Sequence, residues 1–149
     1  MVSVDQIKKL RSETSAGVME IKKAFEDAGG DFAKAKKLLQ ERGVAKAAKK
    51  SDREASEGLI ASYIHTTGKI GAIVEVFCET DFVARTPDFQ NLAKELAMQV
   101  AATEPNDVGE LLAQEYIRES SKTVQDLINE VIAKVGENIR IGRLARFQI

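Results

Sequence analysis

VEVFCETDFVAR, residues 74–85, is the stretch on which the reading of this chain turns. Val74 to Cys78 is β-branched and aromatic, and it reads as a strand. The strand breaks into a polar step, Glu79-Thr80-Asp81, which presents Phe82 and Val83 just before Thr86-Pro87 opens a helix. A strand-to-helix connection normally hides its apolar residues. Here an acid and an aromatic stand side by side on a connection, where scaffolds display working residues. Two readings of Phe82 follow: it staples the next helix to the sheet, or it projects toward a partner. Spacing alone favours the staple.

Outward from this stretch, residues 59–66 (LIASYIHT) alternate, Thr67-Gly68 turns, and Ile70 to Cys78 returns, which predicts a β-hairpin. Downstream of Thr86-Pro87, Phe89, Leu92, Leu96 and Val100 form the buried stripe of a helix that Pro105 ends. Residues 103–122 are acidic and weakly patterned, and Leu111, Leu112 and Tyr116 allow a short helix. Thr123 caps a further helix carrying Leu127, Ile128, Val131, Ile132 and Val135, closed by Gly136. Residues 138–149 alternate as a closing strand. Strand pair, helices and strand predict an α+β domain with helices on one face of a small antiparallel sheet.

Upstream, the first fifty residues read as three short helices. Ser3 and Gln6 form a capping box, with Val4, Ile7 and Leu10 on one face. Thr14-Ser15 opens a second helix with Val18, Ile21, Phe25 and Ala28 inside and Gly17 in its first turn. Asp31 caps a third, with Phe32, Ala35, Leu38 and Leu39 inside and Gly43 as its end. The expected organisation is a bundle over residues 1–44, a linker over 45–56 and an α+β domain over 57–149. Lys46, Lys49, Lys50 and Arg53 make the linker basic, and a solvated face explains them best.

Composition narrows the chemistry. With 149 residues, 44% hydrophobic and 30% charged, the chain is long enough for one real core or a small and a medium one. Lys+Arg number 22 against Asp+Glu 23, which argues against binding nucleic acid by phosphate neutralisation. One cysteine, Cys78, excludes an internal disulfide and fits a reducing compartment. The first residues, MVSVDQIKKL, lack an apolar signal region, and no run reaches the ~18 apolar residues of a membrane span, so a cytoplasmic protein is expected. His65 is the only histidine and is expected in a strand. A His/Cys metal cluster and a phosphate-binding loop are both missing from the sequence, so neither a cofactor nor covalent catalysis is expected. Residue chemistry alone ends at an α then α+β binding module.

Four separated motifs carry a resemblance further. LRSETSAGVMEIKKAFEDAGGDFAKAKKLLQERG (10–43), AKKSDREASEGLIASYIH (48–65), VEVFCETDFVAR and AKVGENIRIGRLARF (133–147) together resemble the bacterial translation elongation factor Ts family. The resemblance implies a guanine-nucleotide exchange factor acting on the GTPase elongation factor Tu, with a UBA-like N-terminal bundle and a core domain carrying TDFVA. By that match Leu10, Arg11, Thr14, Ala16, Gly17, Met19, Lys22 and Lys23 form an edge that docks on the partner. Thr80, Asp81, Phe82 and Val83 form the segment that disturbs the partner's Mg²⁺ site. Two departures stand out. Phe77 occupies a position where the family usually has Asn, and the segment 103–122 is much shorter than in typical members. Long members carry the core subdomain twice, whereas this chain has one copy that a symmetric homodimer could complement. The alternative from another class is a UBA-like peptide-binding module without exchange activity.

Overall fold

A computed structural model describes all residues, Met1 to Ile149. α1 (Val4–Thr14) starts on the Ser3–Gln6 capping box, as its residue types dictate. α2 (Val18–Asp27) and α3 (Phe32–Lys50) complete the bundle, and Asp31 accepts the Lys34 amide at 2.9 Å to begin α3. Leu10, Ile21, Ala24, Phe25, Ala35 and Leu39 form its core. Thr14 does not open α2. It closes α1 by donating its hydroxyl to the Leu10 carbonyl at 2.7 Å, and Ser15 follows in the left-handed conformation. Gly17 is therefore the cap of α2 rather than a residue of its first turn, and Glu20 accepts its amide at 3.2 Å.

Gly43 does not end α3, which runs unbroken through it to Lys50. An interior glycine costs a helix up to about 1 kcal/mol, and packing outweighs that here. Beyond Gly43 the helix lies against α7 (Val124–Val135), and Ala47 is buried in the larger of the two cores. Arg42 pairs with Asp27 and Lys46 with Glu20, fastening the same helix to α2.

β1 (Glu57–Ile64) and β2 (Ile70–Cys78) form the expected hairpin, and β5 (Arg140–Gln148) pairs with the other edge of β2. Both pairings are antiparallel, so β2 is the central strand. His65 lies in the turn after β1, not in a strand. α5 (Pro87–Thr103), with Thr86 as cap and Pro87 in the first turn, covers one face of the sheet, and α7 packs against α5 and α3. Ala72, Val74, Val76 and Cys78 of β2 point into that core beside Phe89, Leu92, Leu96 and Val100. The class is α+β, as the pattern predicted. Ile60, Ile64, Ile73 and Phe147, on the opposite face, are exposed.

The stretch expected to be weakly patterned, extended to residue 123, holds α6 (Val108–Ala113) and also a small unexpected hairpin, β3 (Glu115–Tyr116) with β4 (Glu119–Thr123). Gln99, on the buried side of α5, creates it. Its amide donates to Gln114 at 3.1 Å and to the Glu115 carbonyl at 3.0 Å, and its oxygen accepts the Ile117 amide at 3.1 Å. Tyr116 adds a 2.6 Å bond to Glu95.

Candidate functional site

At the end of β2 the chain turns through α4 (Asp81–Ala84), a single helical turn capped by the Thr80 hydroxyl, which accepts the Val83 amide at 3.4 Å. Four residues cannot hold a helix by themselves. Val83 and Ala84 anchor the turn in the larger core. Cys78 donates its thiol hydrogen to the Thr80 carbonyl at 3.1 Å, and burial pushes that thiol up to about 11, which keeps the hydrogen in place.

The strongest restraint comes from far along the chain. Glu137, just after α7, accepts the amides of Glu79 and Thr80 at 3.1 and 2.9 Å and the Thr80 hydroxyl at 2.8 Å. Glu79 in turn accepts the Asn138 amide at 2.7 Å. Asn138 donates its side-chain amide to the Arg53 carbonyl at 2.8 Å and, more weakly, to that of Ser51 at 3.4 Å. Arg53 closes the circle with a contact to Glu79 at 3.6 Å. Hydrogen bonds to an ionised carboxylate are roughly twice as strong as neutral ones, so this clasp fixes the turn.

On that fixed turn Phe82 is 77% exposed, with its ring clear of both cores. The staple reading therefore fails: Val83 performs that packing, and Phe82 is free. Asp81 is half-buried and pairs with Arg85 at 3.0 Å along the turn.

The residues of the N-terminal edge divide in two. Arg11, Gly17, Met19, Lys22 and Lys23 are exposed, Met19 at 75%. Leu10 is wholly buried, Thr14 is 9% exposed, and Ala16 is half-buried, so these three shape the edge from beneath. Neither the hydrogen bonds nor the ion pairs of this edge reach residues 80–83. Glu137 and Asn138 were missed from sequence, and Arg53, expected on a solvated face, instead contacts Glu79 and accepts from Asn138 through its carbonyl. A signal existed: Glu-Asn directly after the closing Gly136 puts an acid and an amide where a strand begins, and Asn138 is buried.

A sequence model described as Elongation factor TS matches residues 79–149, beginning at Glu79 of the clasp. Elongation factor Ts of Oleidesulfovibrio alaskensis is 42% identical over 193 aligned positions, spanning 99% of this chain and 98% of that protein. This chain belongs to the elongation factor Ts family. Elongation factor Ts of Thermoanaerobacter sp. is also 42% identical, over 99% of this chain and 95% of that protein, and that of Leptospira biflexa 41%, over 99% and 98%. As a member of the elongation factor Ts family it is a translation elongation factor, a non-catalytic component of protein biosynthesis. These alignments run over 193 positions against a chain of 149 residues, so the elongation factor Ts relatives carry residues with no counterpart here. None of its helices is long and apolar enough to cross a membrane.

Proposed function

We propose that this chain promotes release of GDP from elongation factor Tu, as a guanine-nucleotide exchange factor acting in the cytoplasm. The observation that carries the reading is Phe82, an exposed aromatic on a turn held by three hydrogen bonds to Glu137. Work of this kind needs no acid–base group. In a GTPase, Mg²⁺ bridges the nucleotide phosphates with few protein oxygens and demands near-octahedral geometry. A ring pressed between elements of the partner shifts that geometry, the ion leaves, and GDP is left with uncompensated phosphate charge. Linkage then makes the effect reciprocal, so nucleotide weakens the factor's hold as much as the factor weakens the nucleotide's.

In this reading the bundle, residues 1–44, supplies grip through Arg11, Gly17, Met19, Lys22 and Lys23, over Leu10, Thr14 and Ala16. The domain over 57–149 supplies action through Thr80, Asp81, Phe82 and Val83. Thr80 and Asp81 shape the turn, Val83 seats it, and Phe82 intrudes. Two copies of the chain pair through the open face of the sheet, where Ile60, Ile64, Ile73 and Phe147 are uncovered.

Release of a fluorescent GDP analogue from elongation factor Tu tests the reading. Catalytic amounts of this protein are expected to accelerate release. An unchanged rate at saturating protein would overturn the exchange role and leave a UBA-like binding module without it.

A further inference from the structure

Residues 137–140 hold two separate pieces of the chain at once. Glu137 holds residues 79 and 80, the step immediately before Phe82, through three bonds of 2.8–3.1 Å. Asn138 and Arg140 hold the connector that follows α3: Asn138 donates to the Arg53 carbonyl at 2.8 Å, and Arg140 to that of Ala55 at 3.0 Å. The two holdings are themselves joined, since Glu79 accepts the Asn138 amide at 2.7 Å and meets Arg53 at 3.6 Å. Phe82 is thereby tied to the end of α3, the helix whose first half belongs to the bundle core through Ala35 and Leu39.

We propose that Glu137 and Asn138 are positioning residues that register Phe82 against the end of α3, so that a partner gripped by the bundle meets the ring at a set place. This rests on the exchange reading above and deepens it. Neither side chain need touch the partner. Glu137 orders the turn, and Asn138 sets where the ordered turn stands relative to the connector. A group held in place before docking loses no freedom on docking, and small misplacement is expensive.

The chain contains no tryptophan, so Phe82→Trp in the full-length protein provides a single local probe. With Glu137 intact its anisotropy decay should follow the tumbling of the whole molecule. Adding Glu137→Ala removes all three acceptor contacts and should introduce a fast local component. Glu137→Gln, whose amide oxygen still accepts both backbone amides, should restore most of the order. On the Phe82 background, Glu137→Ala should lower the maximal GDP-release rate severalfold or more, because small misplacement of a working group is expensive, with the half-saturating concentration unchanged. Asn138→Ala leaves Glu137's bonds in place, so the probe should stay ordered while the maximal rate still falls.

A tryptophan as ordered in Glu137→Ala as in its parent overturns the proposal, as does an unchanged maximal rate in either alanine variant. Should Glu137→Ala fail to fold, Asn138→Ala decides alone, and an undiminished maximal rate refutes the registration. If the native chain itself leaves GDP release unchanged, the exchange reading fails, while the anisotropy still decides whether Glu137 orders the turn.

Discussion

Glu79 and Glu137 exchange acceptors: the Glu137 carboxylate takes the Glu79 amide at 3.1 Å, and the Glu79 carboxylate takes the amide of Asn138, next to Glu137, at 2.7 Å. Two like charges are brought into one corner because each meets backbone N–H donors rather than the other. The result is a short turn held by hydrogen bonds from residues far along the chain, with an aromatic ring presented from it.

For Phe82, that presentation separates stability from activity. Phe82→Ala should leave the melting temperature nearly unchanged, because exposed substitutions usually fall within about 0.5 kcal/mol. GDP release should nevertheless slow severalfold or more, since a central interface residue costs about 2 kcal/mol or more on truncation. Melting and release kinetics on the same variant check both halves. A loss of several degrees would return the ring to a packing role.

Two glycines should respond oppositely to alanine. Gly43 sits inside α3 with open space where a Cβ would go, so Gly43→Ala should stabilise by about 0.5–1 kcal/mol. Gly58 has φ of 148°, and a Cβ there would lie 2.0 Å from the Val76 carbonyl oxygen. Gly58→Ala should lose more than the about 1–3 kcal/mol of backbone strain alone, because the strand pairing must also shift. Urea titration of both variants measures the contrast.

Acid stability should depend on Glu75. At the irregularity where β2 meets β5, Glu75 accepts the Arg143 guanidinium twice at 2.8 Å and the Arg143 amide at 2.7 Å. Foremost the guanidinium, then the amide, lower its carboxyl from 4.5 to about 2. A depressed folded value means the contribution is complete above about 4.5 and is lost as pH falls toward about 2. Glu75→Gln should therefore show a shallower fall in stability across that window. The pair is at the surface, so added salt should narrow the difference between the two proteins.

Assembly should follow the bare face of the sheet. Ile73 stands at the centre of that face and is 46% exposed, with Ser62 opposite on β1 and Ala145 on β5. Ile73→Lys should shift the light-scattering mass from dimer to monomer without lowering the melting temperature of the monomer. A monomeric mass for the native protein at high concentration would rule the pairing out.

Much of the architecture was written locally. The capping box at Ser3–Gln6, Thr86-Pro87, Thr123 and Gly136 mark helix ends within three or four residues, and period-two alternation marks the strands. Such signals need no distant partner, so the α+β class, the hairpin and the long covering helix were legible from residue order. Four features were decided only by the tertiary structure. α3 runs through Gly43 because Ala47 and Lys46 find partners on other elements. The hairpin after α6 forms because Gln99 satisfies its backbone, although ESSKT shows no apolar alternation. Phe82 is exposed because its neighbour Val83 takes the inward position on α4. The Glu79–Glu137 exchange spans 58 and 59 residues of chain, and periodicity carries no information at that separation. Local rules set the elements, and packing between elements far apart in sequence set how the working turn is held.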